Sequence, residues 1–403
     1  AKSAILKLKK RIFCMNLNES YFLNTYNRLQ IDIDHGSGSY LITKDGERYL
    51  DLFGGLAVNA LGYAHPGVVE AVSKQIGRFG HLSNMFLTDV QVEMASLLIK
   101  YSGMEKLFFT NSGTETVEAA IKLIRAAKGS EKMIFSLSGG FHGRTYGGLS
   151  LTHKEKYQKG FEPLLPKTGM IRYNDIDDLV GKVDENTAAI FLEFIQGEGG
   201  IYSVTGEFVA KLEELRKKFG FLVVSDCIQC GIGRSGKPFS HEHFNFFPDM
   251  ILTAKAIGGG LPLGALLVGK EYSEILTPGR HGTTFGGNPV SCAAGIVVMK
   301  EVFEKGLMEN AKEKGEYLIQ KLKQLQNQFP DKIKEVRGKG LMIGVELTSP
   351  GAGIVQEMLK RKFLVNCTND RVIRLLPPIN KKKEELDRFF TAFSEVIAES
   401  KLP

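Results

Sequence analysis

Leu107-Phe108-Phe109-Thr110-Asn111-Ser112-Gly113-Thr114-Glu115-Thr116-Val117-Glu118-Ala119-Ala120-Ile121-Lys122-Leu123-Ile124 changes period midway. Leu107–Thr110 is a short run of apolar and β-branched residues, which reads as a strand. From Thr116 to Lys128 the period becomes helical, with Val117, Ala120, Ile121 and Ile124 on one face. Ser112 and Glu115 stand in capping-box spacing before that helix. A strand that turns within a few residues into a capped helix is the unit of an α/β layer.

The same alternation continues downstream. Met133–Leu137, Ala189–Phe194, Phe221–Ser225, Met250–Thr253 and Ala265–Val268 read as strands, apolar throughout as strands covered on both faces should be. Glu207–Phe219 reads as a helix, with Phe208, Leu212, Leu215 and Phe219 in register and Gly220 as its stop. The expectation is a large domain with a mostly parallel central sheet, spanning residues 61–305. Residues 306–403 read as a smaller α+β domain: a helix over 309–328, strands at Ile333–Val336, Leu341–Glu346, Phe363–Asn366 and Val372–Leu375, and a final helix. Residues 15–60, with short strands around Gly36–Gly38 and Asp45–Gly46, are expected to pack with it. Residues 1–14 carry Lys2, Lys7, Lys9, Lys10 and Arg11 and no acid. They lack the apolar core and cleavage site of a signal peptide and read as an extension ahead of Met15.

Composition narrows the function classes. The chain has 403 residues, 43% of them hydrophobic, enough for more than one core. Its net charge of +7 comes from 52 basic and 45 acidic residues spread along the sequence. That is a solvated surface with a mild attraction for small anions, not a nucleic-acid footprint. No apolar run approaches the ~18 residues of a membrane span. The 5 cysteines, Cys14, Cys227, Cys230, Cys292 and Cys367, make no disulfide framework, so a reducing cytoplasm is the expected compartment.

Three motifs tempt and fail. Gly231-Ile232-Gly233-Arg234-Ser235-Gly236 spells a dinucleotide fingerprint, but Lys237-Pro238 follows where a helix should open. Cys227 and Cys230 form one CxxC pair with no second pair to complete a zinc site. His241 and His243 have no placed third ligand. No metal is expected.

Other residues carry chemistry in combination. Lys255 lies in the apolar run Met250–Ile257. Burial would lower its pKa and make a neutral, reactive amine, although a strand-end lysine that extends its amine to water reads the same way. Asp226 ends the apolar run Phe221–Ser225, where ligands gather in α/β sheets, and it also suits a turn or cap. Ser112-Gly113-Thr114, between strand and helix start, offers exposed N–H groups to a phosphate. Phe141 could stack on a flat ligand or fill the core. Arg144 could grip a carboxylate or sit on the surface.

Taken with Asn111–Glu115, Phe141–Thr145, Gln196–Gly200, Asp226–Gly264, His281–Pro289 and Arg374–Pro378, these residues resemble the class III aminotransferases, a family of fold-type I pyridoxal-phosphate (PLP) enzymes. The likeness runs from about Asn24 to the end. It implies Lys255 as the lysine that holds PLP as an imine and shuttles protons. It implies Asp226 on the pyridine nitrogen, Gln229 on the ring hydroxyl and Phe141 against the ring. Gly113 and Thr114 would bind the phosphate, with Thr284 supplied by the other subunit of a homodimer. Arg144 and Arg374 would take substrate carboxylates, and Glu198 would cover Arg374 in one half-reaction and release it in the other.

Two departures stand out: Cys227 where the family usually has glutamate, and Phe194 where it usually has proline. Within the family, Asn24–Arg28, His81–Asn84 and His281–Pro289 are most similar to the bacterial acetylornithine branch. That branch moves the δ-amino group of N-acetylornithine to 2-oxoglutarate, giving glutamate, with Arg374 on an α-carboxylate and Thr283 near the acyl end. Ornithine or succinylornithine as donor, an aminomutase or decarboxylase, and an inactive scaffold are the other readings.

Overall fold

The computed structural model describes residues 21–400, so the extension over residues 1–14 lies outside the described residues. The central sheet has seven strands: β4 (Lys106–Thr110), β5 (Met133–Leu137), β6 (Thr168–Ile171), β7 (Thr187–Leu192), β8 (Leu222–Asp226), β9 (Met250–Thr253) and β10 (Gly264–Val268). Their order is β4-β10-β9-β8-β7-β5-β6. β10 runs antiparallel to both neighbours, and the other pairs are parallel. Reversing one strand between two others leaves β4 parallel to β9. The carboxyl ends of β4, β5, β7, β8 and β9 therefore share one edge of the sheet, where α/β proteins place their ligands.

Both faces are covered, which is why the strands are apolar along their length. The helix Gly113–Lys128 buries Val117, Ala120, Ile121 and Ile124 against Phe191, Val224, Leu252 and Leu266. The helix Gly206–Phe219 buries Phe208, Leu212 and Leu215 against Ile190, Leu192 and Val223 on the opposite face.

The helix after β4 begins at Gly113, three residues before its apolar periodicity does. Ser112 is its N-cap and accepts from the Glu115 N–H at 3.4 Å. The return contact of the expected capping box is displaced by one residue: the Glu115 carboxylate accepts from the Asn111 N–H at 2.8 Å. A cap of this kind stabilises a helix by about 1 kcal/mol. Here it also fixes the turn that faces the ligand edge.

Two smaller sheets flank this layer. One consists of β1 (Ile33–Ser37), β2 (Tyr40–Thr43), β3 (Arg48–Asp51) and β13 (Phe363–Leu364). The other consists of β11 (Ile333–Lys339), β12 (Met342–Leu347), β14 (Asn366–Thr368) and β15 (Val372–Leu375). Gly36 lies within β1 as expected, whereas Gly38 and Asp45-Gly46 fall in the connections between β1, β2 and β3. The single strand expected at Phe363–Asn366 is two strands in different sheets. Phe363 and Leu364 pair with Leu50 and Asp51, while Asn366 pairs with Arg374. An apolar run shows that a segment is buried but not which open ladder it joins, and here both sheets had an edge free. The helices Pro66–Arg78, Asp89–Ser102 and Pro289–Phe303 complete the large layer.

Candidate active site

A cavity of about 440 Å³ opens at the carboxyl edge of the central sheet. Lys255, Asp226, Gly113, Thr114, Phe141, Gln229, Arg144 and Glu198 all line it. Arg374 stands behind them, 1% exposed, and bonds two of them, Glu198 and Gln229. Thr283 and Thr284 do not line it. Thr283 Oγ1 accepts from Asn111 Nδ2 at 3.3 Å, and Thr284 is exposed.

The sheet positions the polar centre. Asp226 is the last residue of β8 and is 2% exposed. Its Oδ1 accepts from the Ile228 N–H at 3.0 Å, and its Oδ2 faces His142 Nδ1 at 2.7 Å. Burial alone would push the His142 pKa down, but hydrogen bonding and attraction to Asp226 outweigh it and the pKa is raised. Asp226 thus makes His142 hold its proton more tightly than burial alone would allow.

Lys255 follows β9 at the head of a short 3₁₀ turn. Burial lowers its pKa, and the Arg374 guanidinium pushes the same way against the pull of Glu198, Asp226 and Glu193. The amine is therefore neutral more often than a surface lysine, as a covalent attachment point requires.

At the cap of the helix Gly113–Lys128, Ser112, Gly113 and Thr114 present the helix start to the cavity. Gly113 is there because a Cβ would come within 2.8 Å of the Ile228 side chain. Gly143, with φ +130°, leaves room for Thr114, whose Oγ1 lies where a Cβ would be 2.1 Å away. Phe141 and Ile228 are the apolar walls. Arg144 packs its guanidinium 3.7 Å from the Tyr157 ring centroid, a cation–π contact at the exposed rim.

Arg374 sits in a network. Arg374 Nη1 donates to Glu198 Oε1 at 2.6 Å and to Gln229 Oε1 at 3.1 Å. Burial raises the Glu198 pKa, and Arg374 more than reverses this, so Glu198 is held ionised.

Among the cavity residues that escaped the reading of the chain are His142, Glu193 and Ile228. His142 lies in the quoted Phe141–Thr145 segment and Glu193 directly before Phe194, yet nothing local marks a buried histidine or carboxyl as functional. Glu193 accepts from the Phe141 N–H at 2.8 Å and the Gly197 N–H at 2.7 Å, and so ties two cavity loops together. Burial, with Asp226 nearby, pushes its pKa up to about 7. A raised carboxyl pKa means that its contribution to stability is complete below the unfolded value of 4.5 and is lost as pH climbs to about 7. Glu193→Gln, neutral throughout, is expected to flatten that profile. In urea unfolding of the cofactor-free protein, the native chain should lose on the order of 3 kcal/mol more than the variant between pH 5 and pH 8. Parallel profiles would place the proton elsewhere.

The two departures meet beneath the site. Cys227 Sγ lies 3.2 Å from Ser225 Oγ and 4.0 Å from His241 Nδ1. Phe194 packs edge-on against the His241 ring and against Phe244 and Phe246. A small thiol and a large ring thus share the space around one histidine. Neither displaces a cavity group.

These groups suit PLP: a lysine amine, a buried aspartate, a glycine-opened helix start for a phosphate, and apolar walls for a flat ring. The family model for class-III aminotransferases matches residues 21–397. A protein named acetylornithine aminotransferase from Aquifex aeolicus (strain VF5) is 44% identical over 383 residues, which is 94% of this chain and 100% of that one. The ornithine aminotransferase of Toxoplasma gondii ME49 superposes with a TM-score of 0.89 at 26% identity, covering 99% of this chain and 95% of that one. An acetylornithine aminotransferase from Elizabethkingia anophelis superposes with a TM-score of 0.82 at 26% identity, covering 99% of each. The chain belongs to the class III aminotransferases and is a PLP-dependent enzyme of fold-type I.

Proposed function

We propose that the enzyme transfers the δ-amino group of N-acetylornithine to 2-oxoglutarate in two half-reactions, giving N-acetylglutamate semialdehyde and glutamate, a step of arginine synthesis. The observation that carries this reading is the unequal state of the two arginines. Arg144 is exposed at the rim, whereas Arg374 is covered by Glu198 at 2.6 Å.

A donor with one carboxylate, remote from its reacting amine, needs Arg144 alone. An acceptor with two carboxylates needs both, and it reaches Arg374 only when Glu198 withdraws. N-acetylornithine and 2-oxoglutarate have these two shapes. The acyl group also removes the positive charge that free ornithine would bring beside Arg144.

Bound PLP supplies the electron sink that makes the amine-bearing carbon acidic. Asp226, bonded to His142, would pair with the ring nitrogen and favour a proton there. Lys255 Nζ would hold the cofactor and, once freed by the donor amine, would take the proton from the donor's δ-carbon and in the second half-reaction deliver one to the carbonyl carbon of 2-oxoglutarate. Gly113, Thr114 and Gln229 orient the cofactor, and Phe141 and Ile228 exclude water from its faces.

The same reading makes the enzyme a homodimer. Thr284, exposed and outside its own cavity, would complete the partner's phosphate site, and Met85, Phe86 and Leu87 expose a neighbouring apolar face. It also places the enzyme in the cytoplasm, where the thiols Cys227, Cys230, Cys292 and Cys367 stay free as they are here. Among the described residues no helix is long and apolar enough to cross a membrane.

Single-turnover absorbance with a panel of donors tests the proposal. N-acetylornithine should convert the PLP-loaded enzyme to its amino form at least about 10-fold faster than ornithine at equal concentration. Conversion by ornithine or succinylornithine in preference would overturn the donor assignment. Silence towards every ω-amine would overturn amino transfer.

A further inference from the structure

Asn366 and Thr368 of β14 lie opposite Arg374 and Val372 of β15. Residues two apart on a strand face the same side, and these two reach the two halves of one ion pair. Asn366 Oδ1 accepts from Arg374 Nε at 3.1 Å and from Nη2 at 2.6 Å. Thr368 Oγ1 donates to the Glu198 carbonyl at 2.9 Å and stands 3.4 Å from Glu198 Oε2. A guanidinium only donates, so the amide has to turn its oxygen towards it.

The division of contacts separates position from charge. Among the described residues, Glu198 carries the one carboxylate bonded to Arg374. The Nε–Nη2 edge rests on a neutral acceptor, which holds the plane of the guanidinium without neutralising it. When Glu198 leaves, a fixed and uncompensated cation remains, facing the cavity through Nη1. Without Asn366, two donors on a side chain with 1% exposure would lose their acceptor, and the guanidinium would turn to find another.

We propose that Asn366 is a positioning residue for the acceptor half-reaction: it keeps Arg374 fixed and cationic while Glu198 withdraws, so that Arg374 receives the acceptor's carboxylate. Thr368 anchors the Glu198 backbone, so the carboxylate moves by side-chain rotation alone. The inference rests on the two-carboxylate acceptor proposed above.

Asn366→Asp preserves an acceptor at the same place but adds a charge that competes with the substrate. Asn366→Leu removes the acceptor. Each variant, loaded with PLP, is compared with the native enzyme in two measurements. One is calorimetric titration with glutarate, a dicarboxylate without a reacting carbonyl. The other follows the donor and acceptor half-reactions separately by transient absorbance. Both variants should weaken glutarate and raise the half-saturating 2-oxoglutarate concentration by about 10-fold or more. The half-saturating donor concentration should move by no more than about threefold. Equal losses in both half-reactions, or unchanged glutarate binding in Asn366→Asp, would overturn the proposal. If the native enzyme ignores N-acetylornithine, the donor assignment falls, and the glutarate titration decides on Asn366 by itself.

Discussion

Lys255→Ala is expected to lower kcat by about 10⁴-fold or more while leaving the protein folded. In the proposed mechanism the amine serves twice, as the covalent attachment point and as the group that moves the proton, so its loss would remove two contributions at once. The backbone argues that stability will barely change. Lys255 has φ +48°, a left-handed conformation that costs a non-glycine residue on the order of 1 kcal/mol, and alanine carries the same strain. The Lys255 side chain ends in the cavity and not in the core, so truncation leaves no buried void. The check is borohydride reduction followed by intact mass: the native enzyme should retain the cofactor's mass and the variant should not. A retained adduct in the variant would assign the attachment to another lysine.

Asp226→Ala should cost less in rate and more in stability. In the proposed mechanism, loss of the buried carboxyl would remove the group that pairs with the ring nitrogen, an electrostatic contribution worth about 10²- to 10³-fold in kcat. It also leaves His142 Nδ1 and the Ile228 N–H without their partner, at a cost of about 1–3 kcal/mol. The His142 pKa is raised because Asp226 outweighs burial. In the variant burial wins, so the imidazole should turn neutral and its pKa should fall below that of the native enzyme. NMR titration of His142 in the cofactor-free protein separates the two effects. If the His142 pKa stays put, Asp226 is not what holds the proton there, and a rate loss would need another cause.

The sequence was most legible where chemistry and local periodicity coincide. Asp226 closes an apolar strand, Lys255 follows another, and Ser112-Gly113-Thr114 joins a strand to a helix start, and all of these line one cavity. Legibility failed where a residue's meaning lies in a distant partner. Nothing around His142 announces Asp226, and nothing around Glu193 announces that burial beside Asp226 will push its carboxyl pKa up to about 7. Asn366 was read as the end of one strand. Its register opposite Arg374 gave it a different sheet and an arginine to hold.

By itself, then, the chain determined the α/β layer, the carboxyl edge on which the ligand groups lie, and the identity of most of those groups. Strand and helix periods, caps and turn residues act over a few neighbours and can be read from one segment at a time. Tertiary structure decided how Arg374, Glu198, Gln229 and Asn366 combine, because hydrogen bonds between separate segments depend on which sheet edges are free and where the backbones cross. That network covers Arg374 and leaves Arg144 exposed, and on that difference the proposed assignment of donor and acceptor rests.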